Sequence, residues 1–211
     1  MSIVLYGEKF WNSPYVYSCF VALKEKSLPF ETKLVSLGAG EHKKGSIAKA
    51  LTARVPALEH DGFWLGESSA IVEYLEDAFP KTARVLPTDL EQRARARQIM
   101  AWIRSDLMPI REERSTTTMF YERAKKPLSP AAQDAARRLI SFAQAVVPEG
   151  RTSLFGAPWT AADTDLAFML QRLNLNGHDL PPAVRRFVEA QWQRPSVQEW
   201  VNQKRLPYRS Y

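Results

Sequence analysis

Arg54-Val55-Pro56-Ala57-Leu58-Glu59-His60-Asp61-Gly62-Phe63-Trp64-Leu65-Gly66-Glu67-Ser68-Ser69-Ala70-Ile71 decides the fold. It reads as strand, tight turn, strand and helix start. Val55-Pro56 opens the first strand, because proline lacks a backbone donor and has a fixed φ, which suits the beginning of a strand better than its interior. Asp61-Gly62 is a hairpin turn signal. Glu67-Ser68 stands just before an amphipathic run in which Ile71, Tyr74, Leu75 and Ala78 follow helical spacing. The free N–H groups of a helix start, with a serine hydroxyl beside them, suit a carboxylate. The backbone beside Val55 offers an N–H and a C=O to an extended ligand. The segment therefore suits a small peptide that bears a carboxylate.

Val55-Pro56 and Glu67-Ser68, with the hairpin between them and the helix after, resemble the glutathione-binding half of the cytosolic glutathione transferases. The resemblance implies a cis Pro56, a Val55 backbone paired with the cysteinyl unit, and Glu67-Ser68 holding the γ-glutamyl end. It also implies glutathione as co-substrate, no metal, and a homodimer.

Outward from that segment the chain falls into two parts. Residues 3–6 read as a buried strand. Pro14 opens a helix with Val16, Cys19, Phe20 and Leu23 along one side. Residues 30–36 alternate as a half-buried strand, and a weak helix is expected over 43–50. The order β-α-β-α-β-β-α is that of an α/β thioredoxin-like domain, expected over 1–79, with a linker at 80–89 signalled by Pro80 and Pro87. From Leu90 the strand signals vanish, so 90–211 is expected to be an all-α domain carrying the second-substrate site. Ala96, Ile99, Met100, Ile103, Leu107 and Ile110 keep helical spacing, and Pro109 predicts a break. Ala135, Leu139, Phe142 and Val146 mark another helix. Thr160-Ala161-Ala162-Asp163 is a capping signature before a buried helix, also found in the helical domain of the transferase family. Two short helices near 182–191 and 195–204 follow, and Lys204-Arg205 and Tyr208-Arg209-Ser210-Tyr211 at the C-terminal end read as a mobile tail.

The chemical requirement is a nucleophilic thiol. A free thiol with pKa about 8.5 is only a few per cent ionised at neutral pH, and lowering the pKa by about two units makes most of it thiolate. Ser13, in Trp11-Asn12-Ser13-Pro14-Tyr15, is the candidate donor. The segment resembles the Ser-Pro-Phe element of serine-type transferases such as the tau class, and has theta-like character. A serine before proline is equally a helix N-cap, and the two roles are compatible. An arginine expected five residues after the serine is replaced by Ser18. The zeta-type signature, several Ser and Cys before an Arg pair, is absent, so isomerase activity is not expected. Cys19 reads as core.

For the glycine carboxylate of glutathione, His42, Lys43 and Arg54 compete. Asn12 is a candidate second donor near the sulfur. Asp106 is a candidate partner for the γ-glutamyl amine, the alternative being a surface ion pair. Trp11, Tyr15, Met108, Met119 and Phe120 are candidates for an apolar second-substrate pocket, the alternative being core packing.

Composition narrows the function classes. Lys+Arg number 29 and Asp+Glu 23, for a net charge of +6, which suits anionic small ligands and gives little support for nucleic acid. The lone cysteine excludes an intramolecular disulfide and fits a reducing, cytoplasmic setting. No apolar run approaches about 18 residues, so no membrane span is expected. Ile3-Val4-Leu5-Tyr6 is too short for a leader, and Gly38-Ala39-Gly40 lacks the dinucleotide pattern. The resulting expectation is a glutathione transferase that conjugates electrophiles or reduces hydroperoxides. A glutathione-dependent disulfide reductase and a non-catalytic binding protein on the same fold are the alternatives.

Overall fold

The computed structural model describes residues 2–156 and 158–208. The chain forms two compact units, one of residues up to Val85 together with those from Glu199 onward, the other from Leu86 to Gln198. The final three residues of the expected tail lie outside the described residues.

The first unit is built on β1 (Ile3–Glu8), α1 (Pro14–Glu25), β2 (Glu31–Val35), β3 (Ala57–His60), β4 (Phe63–Gly66) and α2 (Ser68–Ala78). The four strands form one mixed sheet in the order β2-β1-β3-β4. β1 and β2 are parallel, and the pairs β1–β3 and β3–β4 are antiparallel. β1 carries buried Ile3, Val4 and Leu5 into the centre of the sheet. Gly7 lets α1 lie close on β1, since a Cβ there would come within 2.9 Å of Val16 Cγ1. Asp61 and Gly62 both have positive φ, as the mirror-image hairpin turn of an Asp-Gly pair requires.

Two expectations are corrected. The helix expected over 43–50 is replaced by two 3-10 turns, Glu41–Lys43 and Gly45–Ala50. The break falls where Lys44 is extended and Gly45 has φ 63°, neither of which continues an α-helix. α1 is buried all round from Val16 to Leu23, not along one side. Trp200 accounts for the second covered side, meeting Tyr17 and Phe20 edge-on at ring distances of 5.8 and 5.5 Å.

A buried ion pair closes the far end of this unit. Lys26 Nζ lies 3.2 Å from Glu76 Oε2, and both side chains are wholly removed from solvent. Arg84 and the Val85 N–H also donate to Glu76, and Lys26 donates to the Ala83 carbonyl.

The second unit is helical: α3 (Leu90–Ser105), α4 (Met108–Glu113), α5 (Thr117–Phe120), α6 (Pro130–Val146), α7 (Ala161–Asn174), α8 (Pro182–Trp192) and the start of α9 (Pro195–Val201). The chain breaks before Pro109, with Leu107 at φ 64°. The proline ring would clash with the carbonyl four residues back, that of Ser105, which is where α3 ends. α7 is the centre of the unit, buried from Ala161 to Leu173. Arg104 on α3 donates to Asp165 on α7 at 2.8 Å.

The start of α7 depends on Asp163, whose fully buried carboxylate accepts from the Thr160 N–H, the Thr160 hydroxyl and the Leu154 N–H at 2.6–2.8 Å. Burial pushes this carboxyl above its ordinary value, and the hydrogen bonds pull it back. Asp163→Ala strands three buried donors and is expected to cost about 3 kcal/mol in denaturant unfolding. Asp163→Asn keeps one acceptor and should lose less. Among the described residues, no helix is long and apolar enough to cross a membrane.

Candidate functional site

The strand registers decide which loops meet. Tyr6 near the carboxyl end of β1 pairs with Ala57 at the start of β3, and Ala57 pairs with Gly66 at the end of β4. Glu8 pairs with Val35 at the end of β2. Four segments therefore emerge at one edge of the sheet: the loop to Ser13, the loop after β2 that carries His42, the stretch Arg54-Val55-Pro56, and Glu67-Ser68. Residues separated by more than fifty positions are brought together by pairing alone.

Ser13 is the N-cap of α1. Its backbone is extended, and its Oγ accepts from the Val16 N–H at 3.3 Å. Capping uses the hydroxyl as acceptor and leaves its proton for donation. The half-buried side chain stands ahead of Pro14, as a capping serine does. Asn12 is buried beside it.

The Val55–Pro56 bond is cis, as the family resemblance implies. Val55 packs with Ile47, Ala50 and Ala57, so the 3-10 turns support this strand start from below. Glu67 precedes α2 with φ 65° and ψ 118°, and its carbonyl accepts the first helical bond from the Ile71 N–H at 2.9 Å. A non-glycine residue held at such a φ costs about 1–3 kcal/mol and persists only where its surroundings enforce it. Ser68 is buried, and its carbonyl accepts from the Cys19 thiol at 3.7 Å. That contact ties α1 to the start of α2 and gives Cys19 a place in the core. His42 is half-buried with an unpartnered, buried Nδ1, whereas Lys43 and Arg54 are exposed.

The remaining candidates are divided between the units. In the first, Trp11 is buried against Phe20 and Trp200 at 5.9 and 5.1 Å, which favours a core role, while Tyr15 is half-buried. In the second, Met108 is exposed, Met119 is buried, and Phe120 stacks on Trp192 at 6.3 Å. Asp106 follows α3 and accepts from Arg138 at 2.8 Å and from the Trp102 indole N–H at 3.1 Å. Its carboxyl is lowered to about 2, chiefly by Arg138 and then by the Leu107 N–H. A lowered carboxyl stabilises the fold above its unfolded value near 3.8, and that contribution is lost as the pH falls toward 2. Replacing Asp106 by Asn should flatten this acid limb in pH-dependent unfolding. The effect should be small at neutral pH, because the pair is solvent-screened.

Sequence reasoning missed two residues that shape the Ser13 loop. Glu8 is 2% exposed at the end of β1, and its carboxylate accepts from the N–H groups of Phe10, Asn12 and Ser13 at 2.6, 2.5 and 2.9 Å. Arg205, assigned to a mobile tail, donates twice to the Trp11 carbonyl, at 3.2 and 3.1 Å. One signal was available: a carboxylate ending an apolar strand needs buried partners.

Comparison with known proteins matches both parts of the chain to one family. The profile for the glutathione S-transferase C-terminal domain matches residues 89–204, and that for the N-terminal domain matches residues 12–78. A Burkholderia glutathione transferase homologue solved with bound glutathione is 45% identical, covers 95% of this chain and 97% of its own, and superposes with a TM-score of 0.79. Maleylpyruvate isomerase from Ralstonia is 38% identical over 107 residues, or 50% of each chain. Maleylacetoacetate isomerase from Dictyostelium discoideum is 36% identical over 110 residues, or 51% of this chain and 49% of its own. The match thus spans about half the length of these two relatives. With a family profile covering more than half of its residues and a thioredoxin-like sheet followed by a helical unit, the chain belongs to the glutathione S-transferase family.

Proposed function

We propose that the sheet edge binds glutathione and activates its thiol. The cysteinyl unit pairs with the Val55 backbone, the γ-glutamyl end rests on Glu67 and Ser68, and the Ser13 hydroxyl donates to the sulfur. One observation carries this reading: the Ser13 loop, the cis Val55–Pro56 bond and the strained Glu67 emerge together at the carboxyl edge of β1. His42, Lys43 and Arg54 supply cations or donors for the glycine carboxylate, and Asn12 lies beside the sulfur donor. Asp106 takes the surface ion-pair alternative, as its pairing with Arg138 supports.

The thiol proton passes to solvent, and the thiolate bonds to an electrophilic carbon while the leaving group departs with its electron pair. With a hydroperoxide, the thiolate instead takes the terminal hydroxyl to become a sulfenic acid, the alkoxide leaves with its electron pair and takes a proton from solvent, and a second glutathione converts the sulfenic acid to the disulfide with loss of water. The protein contributes position and a hydrogen bond that strengthens as charge gathers on sulfur. In the first unit half-buried Tyr15 is the candidate contact for the apolar partner, and in the second unit exposed Met108 and half-buried Phe120 are candidates by themselves. A cytoplasmic homodimer is the assembly proposed.

A second reading is glutathione-dependent isomerisation, supported by the named activities of the Ralstonia and Dictyostelium relatives. It needs the same bound thiolate, which adds to a cis double bond and is later expelled. Rates on an aryl halide, an organic hydroperoxide, a glutathione mixed disulfide and maleylpyruvate separate the readings. Turnover of the first two is expected. Turnover of maleylpyruvate alone would establish the isomerase. Mixed-disulfide turnover alone would establish the reductase, and glutathione binding without any turnover a binding protein.

A further inference from the structure

We propose that Glu8 and Arg205 are positioning residues that clamp the Ser13 loop from two sides, making the C-terminal segment part of the thiol-activating machinery. This rests on the reading of Ser13 given above.

The loop between β1 and α1 cannot hold its own shape. Trp11 sits at φ 53°, a conformation that a bulky side chain rarely adopts and that persists only where its surroundings enforce it. Glu8 enforces it from the sheet side. Oε1 takes both the Asn12 and Ser13 N–H groups, and Oε2 takes that of Phe10. The carbonyl of Trp11 is left facing the other way, and there the Arg205 guanidinium meets it with Nε and one terminal nitrogen. Arg205 is itself fixed by donating to the carbonyls of Trp200, Val201 and Gln203. The Arg205 charge also acts favourably on the Glu8 carboxylate, which burial otherwise disfavours.

The surrounding packing is continuous with this clamp. Trp200 packs on Trp11, Glu199 pairs with Lys24 at 2.5 Å, and Tyr208 meets Phe10 at 5.3 Å. Leu206 and Pro207 line a surface groove together with Lys9 and Phe10.

The arrangement has a chemical consequence. The N–H groups of Phe10, Asn12 and Ser13 are committed to Glu8, so they do not serve the sulfur. Activation then depends on where the Ser13 hydroxyl points. The clamp sets that direction by holding the residues immediately before Ser13.

The test is ultraviolet titration of the bound thiolate in the full chain, with glutathione affinity measured alongside, for wild type and four variants. Arg205→Ala is expected to raise the thiol pKa by about one unit, because the sulfur loses its aligned donor. Glutathione affinity should change less than about threefold, since the tripeptide's other contacts remain. Arg205→Lys should recover part of the shift, a single ammonium replacing a two-pronged donor. Glu8→Gln should also raise the pKa, and if it fails to fold, the two Arg205 variants still decide the matter. Ser13→Ala provides the reference. If Ser13→Ala raises the pKa and Arg205→Ala leaves it at the wild-type value, the clamp is wrong and the role of Ser13 stands. If Ser13→Ala itself leaves the pKa unchanged, the reading of Ser13 fails and the clamp fails with it. Arg205 variants that lose affinity and stability without a thiol shift would reduce the clamp to a structural contact and overturn it.

Discussion

Replacing Glu76 by alanine is expected to destabilise the protein by about 4 kcal/mol, because removing one partner leaves the other as an uncompensated buried charge. Lys26 is that charge. Its ammonium lies among fully buried atoms and would retain only the Ala83 carbonyl. Arg84 and the Val85 N–H would lose their acceptor in the same step, and the Val85 N–H has no access to water in its place. The measurement is denaturant unfolding of both variants and wild type. A double variant, Lys26→Met with Glu76→Gln, is expected to be more stable than Glu76→Ala. The cation is then gone, and the Gln oxygen still accepts from Val85. With Lys26→Met and Glu76→Gln measured singly alongside, a double loss smaller than the sum of the two single losses distinguishes a buried charge from a simple loss of packing.

The second large effect concerns Ser13. Ser13→Ala removes a donor from the thiolate and is expected to lower kcat/KM near neutral pH by about 25-fold, the fall in ionised thiol when its pKa rises by about two units. It also removes the N-cap of α1, which costs about 1 kcal/mol of stability. The two effects are separable. Gly at an N-cap costs only a few tenths of a kcal/mol and carries no side-chain donor. Ser13→Gly should therefore keep near-wild-type unfolding behaviour while losing activity. Ser13→Thr should keep both, within the limits of an extra methyl group. If stability and activity fall together across the three variants, the serine is a cap alone.

Most of the fold was legible because its signals are local. The Asp61-Gly62 turn, the Ser13-Pro14 helix start and the helical spacing after Glu67 each act within a few residues, and each appears in the structure. The break before Pro109 was legible for the same reason. Local reading failed where a conformation depended on distant chain. The 43–50 stretch has helical composition, but Gly45 at positive φ divides it into 3-10 turns that pack under Val55. α1 looked one-sided because nothing near it announces Trp200.

The candidate site divides in the same way. Val55-Pro56 and Glu67-Ser68 are local motifs whose meeting at one edge follows from strand pairing. Glu8 gave a faint signal as a carboxylate closing an apolar strand. Arg205 gave none, since its partner carbonyl lies 194 positions away. A basic residue near the end of a chain reads as solvated until the structure shows what it touches. Lys26 and Glu76 were invisible for a similar reason, being an ordinary residue just past α1 and one within α2, whose burial depends on the turn at Ala83 and Arg84.

The most direct measurement is a crystal structure of the protein with glutathione bound. The expected result is a tripeptide along the carboxyl edge of β1, its cysteinyl backbone paired with Val55 and its γ-glutamyl carboxylate on Ser68. Its sulfur should lie within about 3.5 Å of the Ser13 hydroxyl. A sulfur held away from Ser13 by another donor, or a tripeptide bound elsewhere on the protein, would contradict the assignment.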